Sequence, residues 1–112
     1  MLSKDKRLNL KKDFKWVAAG GKGIDTKFLK LFIRMGENTN PRIGIALSSK
    51  AFKKATDRNR AKRLVSQAFQ STIYHLPSTI NIVALPKRGV TSVKSGDVLL
   101  DLEAGLKKVK IL

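Results

Sequence analysis

The sequence predicts an α+β fold: a two-layer α/β sandwich, one central sheet with helices packed mainly on one side. Three observations carry this reading. Residues 28–34 and 42–47 alternate side chains with the period of a strand. Residues 80–85, INIVAL, form a short and almost wholly apolar run, as a strand buried on both faces does. Two longer segments place apolar residues at helical spacing, one before that run and one after it.

The first helix is expected over Asp13 to Ala19, where Phe14, Val17 and Ala18 share helical spacing and the Gly20-Gly21 pair ends the element. In the first strand Leu29, Leu31 and Ile33 face one way, and Phe28, Lys30, Phe32 and Arg34 the other. Turn chemistry from Gly36 to Pro41 leads to a second strand through Ile43, Ile45 and Leu47, which suggests a hairpin with a long loop. The clearest helix follows, with Ala61, Leu64, Val65, Ala68, Phe69 and Thr72 on one stripe. Thr56 is its expected N-cap, with Asp57 in the first turn where negative charge suits the helix dipole. Pro77 ends it beyond His75. Gly96 and Asp97 open a last helix with Leu99, Leu102, Leu106 and Val109 on one face. With 112 residues and no internal repeat or Pro-rich linker, residues 1–112 read as one domain.

Charge narrows the function. The chain carries 24 Lys+Arg against 8 Asp+Glu, a formal net charge of +16. Such an excess repels itself and weakens the compact state, so a polyanionic partner is the economical explanation. The distribution sharpens it: residues 1–63 hold 18 basic and 5 acidic side chains, and Leu64 to Pro86 holds none of either sign. With no Cys, a disulfide scaffold and a thiolate zinc site are excluded, and one His excludes a histidine-rich metal site. No apolar run resembles a secretory signal or approaches the ~20 residues of a membrane span, so a cytoplasmic chain without a membrane partner is expected.

Lys50 to Arg63, KAFKKATDRNRAKR, packs seven basic residues and one acid into fourteen and runs straight into the apolar stripe. With Ala61 at the centre of the buried face, Asn59 and Arg63 point away from the core and Arg60 and Lys62 flank them. Arg58 falls nearer the buried edge, its stem against the sheet. A Lys/Arg-rich helix face is ordinarily just solvated, but Asp57 alone cannot absorb this charge by intrahelical pairing. Cations in the first helical turn also oppose the macrodipole. Guanidiniums that grip phosphate oxygens bidentately, beside free helix N–H groups, account for the placement better than stability does.

At these residues the chain resembles a known family. The run Arg42-Ile43-Gly44-Ile45-Ala46-Leu47-Ser48-Ser49-Lys50, then Asp57-Arg58-Asn59-Arg60-Ala61-Lys62-Arg63-Leu64 and Ala68-Phe69, is similar to the protein component of bacterial ribonuclease P. Arg7-Leu8 and Asp13-Phe14 match that family's opening motif, and Pro77, the strand at 80–84 and the helix at 99–106 fit its second half. The resemblance implies an accessory subunit of a ribozyme that removes the 5′ leader from precursor tRNA. It implies Lys50, Lys53, Lys54, Arg58, Asn59, Arg60, Lys62 and Arg63 as contacts to the RNA subunit, and Phe14, Val17 and Leu31 as contacts to the leader. It also implies a left-handed βαβ crossover around the basic helix, no small-molecule substrate, and no cofactor bound by the protein alone; magnesium belongs to the RNA-containing holoenzyme. Several positions depart from the family pattern: Ala18 and Leu31 stand where aromatics are common, Trp16 is one position off, and Ser49 and Ser66 replace basic residues.

The side chains agree that no catalyst resides in the protein. Metal-dependent nuclease sites need convergent carboxylates, and the acids are scattered except for Asp97, Asp101 and Glu103. Asp97 and Asp101 share a helical face, read here as solvated rather than metal-binding. Gly20-Gly21-Lys22 is not a phosphate loop, because Trp16 and Gly23 stand where that motif needs Gly and Ser/Thr. A second class of function, a ribosomal or nucleoid protein binding nucleic acid as structural cement, stays open on charge alone.

Overall fold

The structure is a computed structural model and describes residues 2–112. A four-stranded sheet is formed by β1 (Lys22–Asp25), β2 (Leu29–Met35), β3 (Arg42–Ile45) and β4 (Ile80–Pro86), in the order β1-β2-β4-β3. Three helices accompany it: α1 (Leu10–Gly20), α2 (Ala55–Thr72) and α3 (Ser95–Lys108). None is long and apolar enough to cross a membrane.

The sheet corrects the expected hairpin. β2 and β3 do not pair; β4 lies between them, antiparallel to β2 and parallel to β3. The reason is burial. Ile80 to Ala84 is hidden throughout, and a strand apolar on both faces belongs in the middle of a sheet. β3, α2 and β4 therefore form a parallel crossover unit. The short edge strand β1 pairs with β2 through Lys22↔Ile33 to Asp25↔Lys30. It was not legible in sequence, because Lys-Gly-Ile-Asp has one apolar side chain and no run to reveal a period.

Alternation along the strands divides the molecule. Leu29, Leu31, Ile33, Ile43, Ile80, Ile82 and Ala84 enter one core with Ala61, Leu64, Val65, Ala68 and Phe69 of α2 and Val98, Leu102 and Leu106 of α3. Val83 points to the opposite face and packs with Leu8 and Val17, bringing α1 over that side. Two of the three helices thus share a face, and α1 covers part of the other. Gly44 lets α1 pack close: a Cβ there would lie 2.6 Å from Leu10 Cδ2 and 3.2 Å from Leu8 Cβ, so a side chain would force Leu10 to repack.

Local chemistry fixes the helix ends. α1 begins three residues earlier than expected, because the Asn9 side chain accepts from the Lys12 amide and caps it. Gly21 must be glycine, since a Cβ would collide with the carbonyls of Val17 and Ile33. The expected Thr56 cap is corrected: α2 starts at Ala55 with Lys54 in the N-cap position and no side-chain cap. Thr56 lies inside the first turn.

A third correction concerns the acidic face of α3. Asp97 accepts from the Lys94 amide at 3.1 Å and finishes the helix start. Asp101 is no solvated carboxylate; it accepts from the Thr26 hydroxyl (2.6 Å) and the amides of Lys27 (3.0 Å) and Phe28 (2.8 Å). It staples the β1–β2 turn to α3. Asp101→Ala orphans three donors at once and should cost about 2–4 kcal/mol, given ~1.5–3 kcal/mol per charged hydrogen bond less what water restores. A urea melt checks it, with Asp101→Asn expected to fall between wild type and Ala.

Candidate nucleic-acid interface

The basic face is assembled by the turn between β3 and α2. Phe52, almost fully buried, anchors that turn in the core. Its amide donates to the Ser48 carbonyl, and the Lys50 amide donates to Ser48 Oγ. The lysines on either side of this anchor, Lys50, Lys53 and Lys54, are therefore held outward and exposed. An apolar plug in a cationic turn fixes the charges in place.

Arginines tie the turn to the helix. Arg58 Nη1 donates to the carbonyls of Phe52 (2.8 Å) and Lys53 (3.1 Å). Arg60 Nε donates to the Thr91 carbonyl (3.0 Å), reaching the 3-10 turn Arg88–Ser92. These partners are neutral carbonyls, so the guanidiniums gain orientation without losing charge, and each keeps N–H groups for another acceptor. Among the described residues the one salt bridge is Lys87 to Asp25 at 3.1 Å, away from this face. There the Lys87 ammonium, by hydrogen bond and then by charge, holds the Asp25 carboxyl below the usual carboxylate range.

The structure places the basic residues of 50–63 on one surface at the start of α2. Asn59, Lys62 and Arg63 are exposed above buried Ala61, and Arg58 is half-buried at the edge. Arg60 leans toward the 3-10 turn, while Lys62 borders a small groove with Arg7, Ile43 and Gly44, so the two do flank the helix on opposite sides. Two further cations join the face. Arg88 Nη2 donates to the Lys50 carbonyl at 3.3 Å, and Arg7, its Nε on the Leu2 carbonyl, shares the groove with Lys62. No periodicity marks either one; only the packing of their segments against α2 and β3 brings them in.

Of the three residues the resemblance implies as leader contacts, two are fully buried, which corrects their expected exposure. Leu31 is 0% exposed and faces α2 and α3, on the side of the sheet opposite α1. Val17 is also 0% exposed, sealed against Val83. Neither offers surface to a ligand. Phe14 remains half-buried on the flank of α1, in a cluster with Phe32, Ala46 and Leu85. Phe32, one residue from Leu31, is the strand aromatic on this face, with Lys30 Nζ 5.6 Å from its ring. Strand parity assigns Phe32 to the face opposite Leu31, but the sequence does not show which face α1 takes.

Among the described residues no three His, Asp or Glu side chains gather to hold a metal ion.

The fold and these two surfaces define a small cationic α+β protein with an uncompensated basic helix and a separate apolar, aromatic-lined sheet face. The family model for Ribonuclease P matches residues 2–110. The chain is 34% identical over 107 residues to the ribonuclease P protein component of Pseudoalteromonas atlantica, covering 96% of this chain and 88% of that one. It is 38% identical over 87 residues to that of Legionella pneumophila strain Lens, covering 78% and 74%. In structure it is similar to the RNase P protein of Thermotoga maritima, with TM-score 0.80, 28% identity and coverage of 93% of this chain and 97% of that one. A Staphylococcus aureus RNase P protein gives TM-score 0.81 at 21% identity, covering 95% and 96%, which supports the fold. The chain belongs to the ribonuclease P protein component family. Membership implies a role in an endoribonuclease complex and partnership with ribonuclease P RNA.

Proposed function

We propose that this chain, as one domain, binds the catalytic RNA of ribonuclease P and the 5′ leader of precursor tRNA, assisting endonucleolytic removal of the leader. The RNA subunit docks on Lys50, Lys53, Lys54, Arg58, Asn59, Arg60, Lys62 and Arg63. The leader lies across the α1 face of the sheet, against Phe14 and Phe32, with Lys30 beside it. Catalysis and its magnesium reside in the RNA, and the particle works in the cytoplasm, where precursor tRNA is made.

One observation carries the reading: Arg58 and Arg60 of α2 are pinned by neutral carbonyls, and among the described residues no acid forms a salt bridge with them or with Arg63. An array of oriented cations with intact charge suits a phosphate backbone, where each neutralised phosphate releases condensed counterions. Half-buried aromatics on the other face suit stacked bases, each worth ~1–3 kcal/mol. Reconstitution with a bacterial ribonuclease P RNA tests the proposal. At low magnesium, adding the chain is expected to stimulate cleavage of precursor tRNA, more for a substrate with a 5′ leader of several nucleotides than for one with a single nucleotide. RNA binding without any stimulation would overturn it in favour of a purely architectural role.

A further inference from the structure

α1 has two flanks, and the proposed leader face uses only one. Phe14 and Ala18 lie on one side of buried Val17; Trp16 lies on the other. On that second flank a groove of about 510 Å³ runs between α1 and the end of the sheet. Trp16, Gly36, Glu37, Asn38, Arg42 and Asn81 line most of it, and Lys12 and the Asp13 carboxylate complete the α1 wall.

Its parts are held rigidly. Trp16 is 40% exposed, yet the Arg34 guanidinium covers the ring 4.3 Å from its centroid. Arg34 Nη1 also donates to the Trp16 carbonyl at 2.8 Å. Asn81, only 4% exposed, donates its amide to Asn38 Oδ1 at 2.9 Å and to the Arg34 carbonyl at 3.2 Å. Asn38 in turn donates to the carbonyls of Asn40, Ser78 and Ile80. The Gly36 amide donates to the Thr79 carbonyl. Glu37 sits between these two anchored residues, so its carboxylate is presented from a fixed backbone. Gly36 lets the indole approach, since a Cβ there would stand 3.1 Å from Trp16 Cη2.

We propose that this groove is a second RNA-binding subsite, which takes one unpaired base and prefers guanine. An exposed indole stiffened by a guanidinium is a stacking platform. Arg42, exposed at the rim, meets the neighbouring phosphate. Of the two carboxylates, Asp13 is part-buried on α1 and Glu37 is exposed, so Glu37 sets the preference. A phosphate-only site would exclude Glu37, whereas a base edge with N–H donors is attracted to it. Guanine presents N1–H and N2–H side by side to a single carboxylate, and uracil presents one N–H. Single-stranded RNA is read by this combination of stacking and edge hydrogen bonds.

The inference rests on the RNA-binding reading above, but its readout is independent of cleavage. Trp16 is the only tryptophan of the chain, so its fluorescence reports on this groove. Titrating the full-length free protein with the pentanucleotides UUGUU, UUAUU and UUUUU should quench the emission saturably. UUGUU is expected to bind about 5- to 10-fold more tightly than UUUUU. Glu37→Gln should erase that preference while leaving the quench, and Lys107→Ala, at an exposed position on α3, should change neither. No quench with any oligomer, or a guanine preference that survives Glu37→Gln, would overturn the subsite. The source of the base is separable in the reconstituted particle. A quench on adding ribonuclease P RNA alone assigns it to the ribozyme, a quench only with leader-bearing precursor assigns it to the leader, and no quench in either state overturns a role there. Loss of cleavage stimulation with the quench intact would instead fault the proposed function and leave the subsite standing.

Discussion

Replacing Phe69 by alanine is expected to destabilise the protein by about 3–5 kcal/mol, with no direct loss of an RNA contact. Phe69 is among the largest fully buried side chains and lies on the inner stripe of α2, in the cluster where that helix meets the sheet and α3. Removing the ring forfeits its transfer energy and leaves a cavity that strands β2 and β4, paired along their whole length, cannot collapse to fill. Against a total stability of ~5–15 kcal/mol for a domain of this size, the loss is large. In urea, with a slope of ~1–3 kcal/mol/M, the midpoint should drop by about 2 M. Below that midpoint the folded variant should bind RNA with the wild-type salt dependence. A midpoint within about 0.3 M of wild type would mean the apolar stripe does not carry the core.

That stripe was legible because helical spacing, burial and the absence of charge after Arg63 all say the same thing about residues 61–72. The central strand was legible for a similar reason, since only a doubly buried strand tolerates Ile-Asn-Ile-Val-Ala-Leu. What the sequence withheld was pairing. Periodicity assigns side chains to the two sides of a strand but does not say which strand lies next to it. The turn-rich segment at 36–41 suits a β2–β3 hairpin, yet burial places β4 between them.

The same limit governs the site. The basic helix face could be read residue by residue, because a helix carries its own angular geometry and Ala61 sets the origin. The surface left open on the sheet could not, because it depends on which face α1 covers. Leu31 and Phe32 are adjacent in sequence and lie on opposite sides of the molecule. Asp101 shows the limit from another direction. Its partners are 73 to 75 residues away, so nothing local distinguishes it from a solvated acid.

The second large effect is expected at the arginines of α2, and it should not be uniform. Arg63 is exposed on the outward face, and Arg60 is exposed with only its Nε engaged. Arg60→Ala or Arg63→Ala should each flatten the slope of log K against log salt by about 0.7–0.9, the value of one lost phosphate contact. Arg58 does more. Its guanidinium joins the carbonyls of Phe52 and Lys53, so Arg58→Ala removes a cation and also frees the turn that displays Lys50, Lys53 and Lys54. Losing several organised contacts at once should cost more affinity than either other variant, about 100-fold against about 10-fold, with a slope change greater than one contact explains. Arg58→Lys separates the two effects. It keeps the charge but has no planar fork to span two carbonyls, so it should recover less than half of the lost binding free energy. Filter binding to ribonuclease P RNA across a salt series measures all four variants, and a urea melt of each checks that the fold persists. If Arg58→Ala behaves like Arg60→Ala and Arg63→Ala, the clamp on the lysine turn is ornamental. Wild-type slopes in all three alanine variants would mean that phosphates do not bind this face at all.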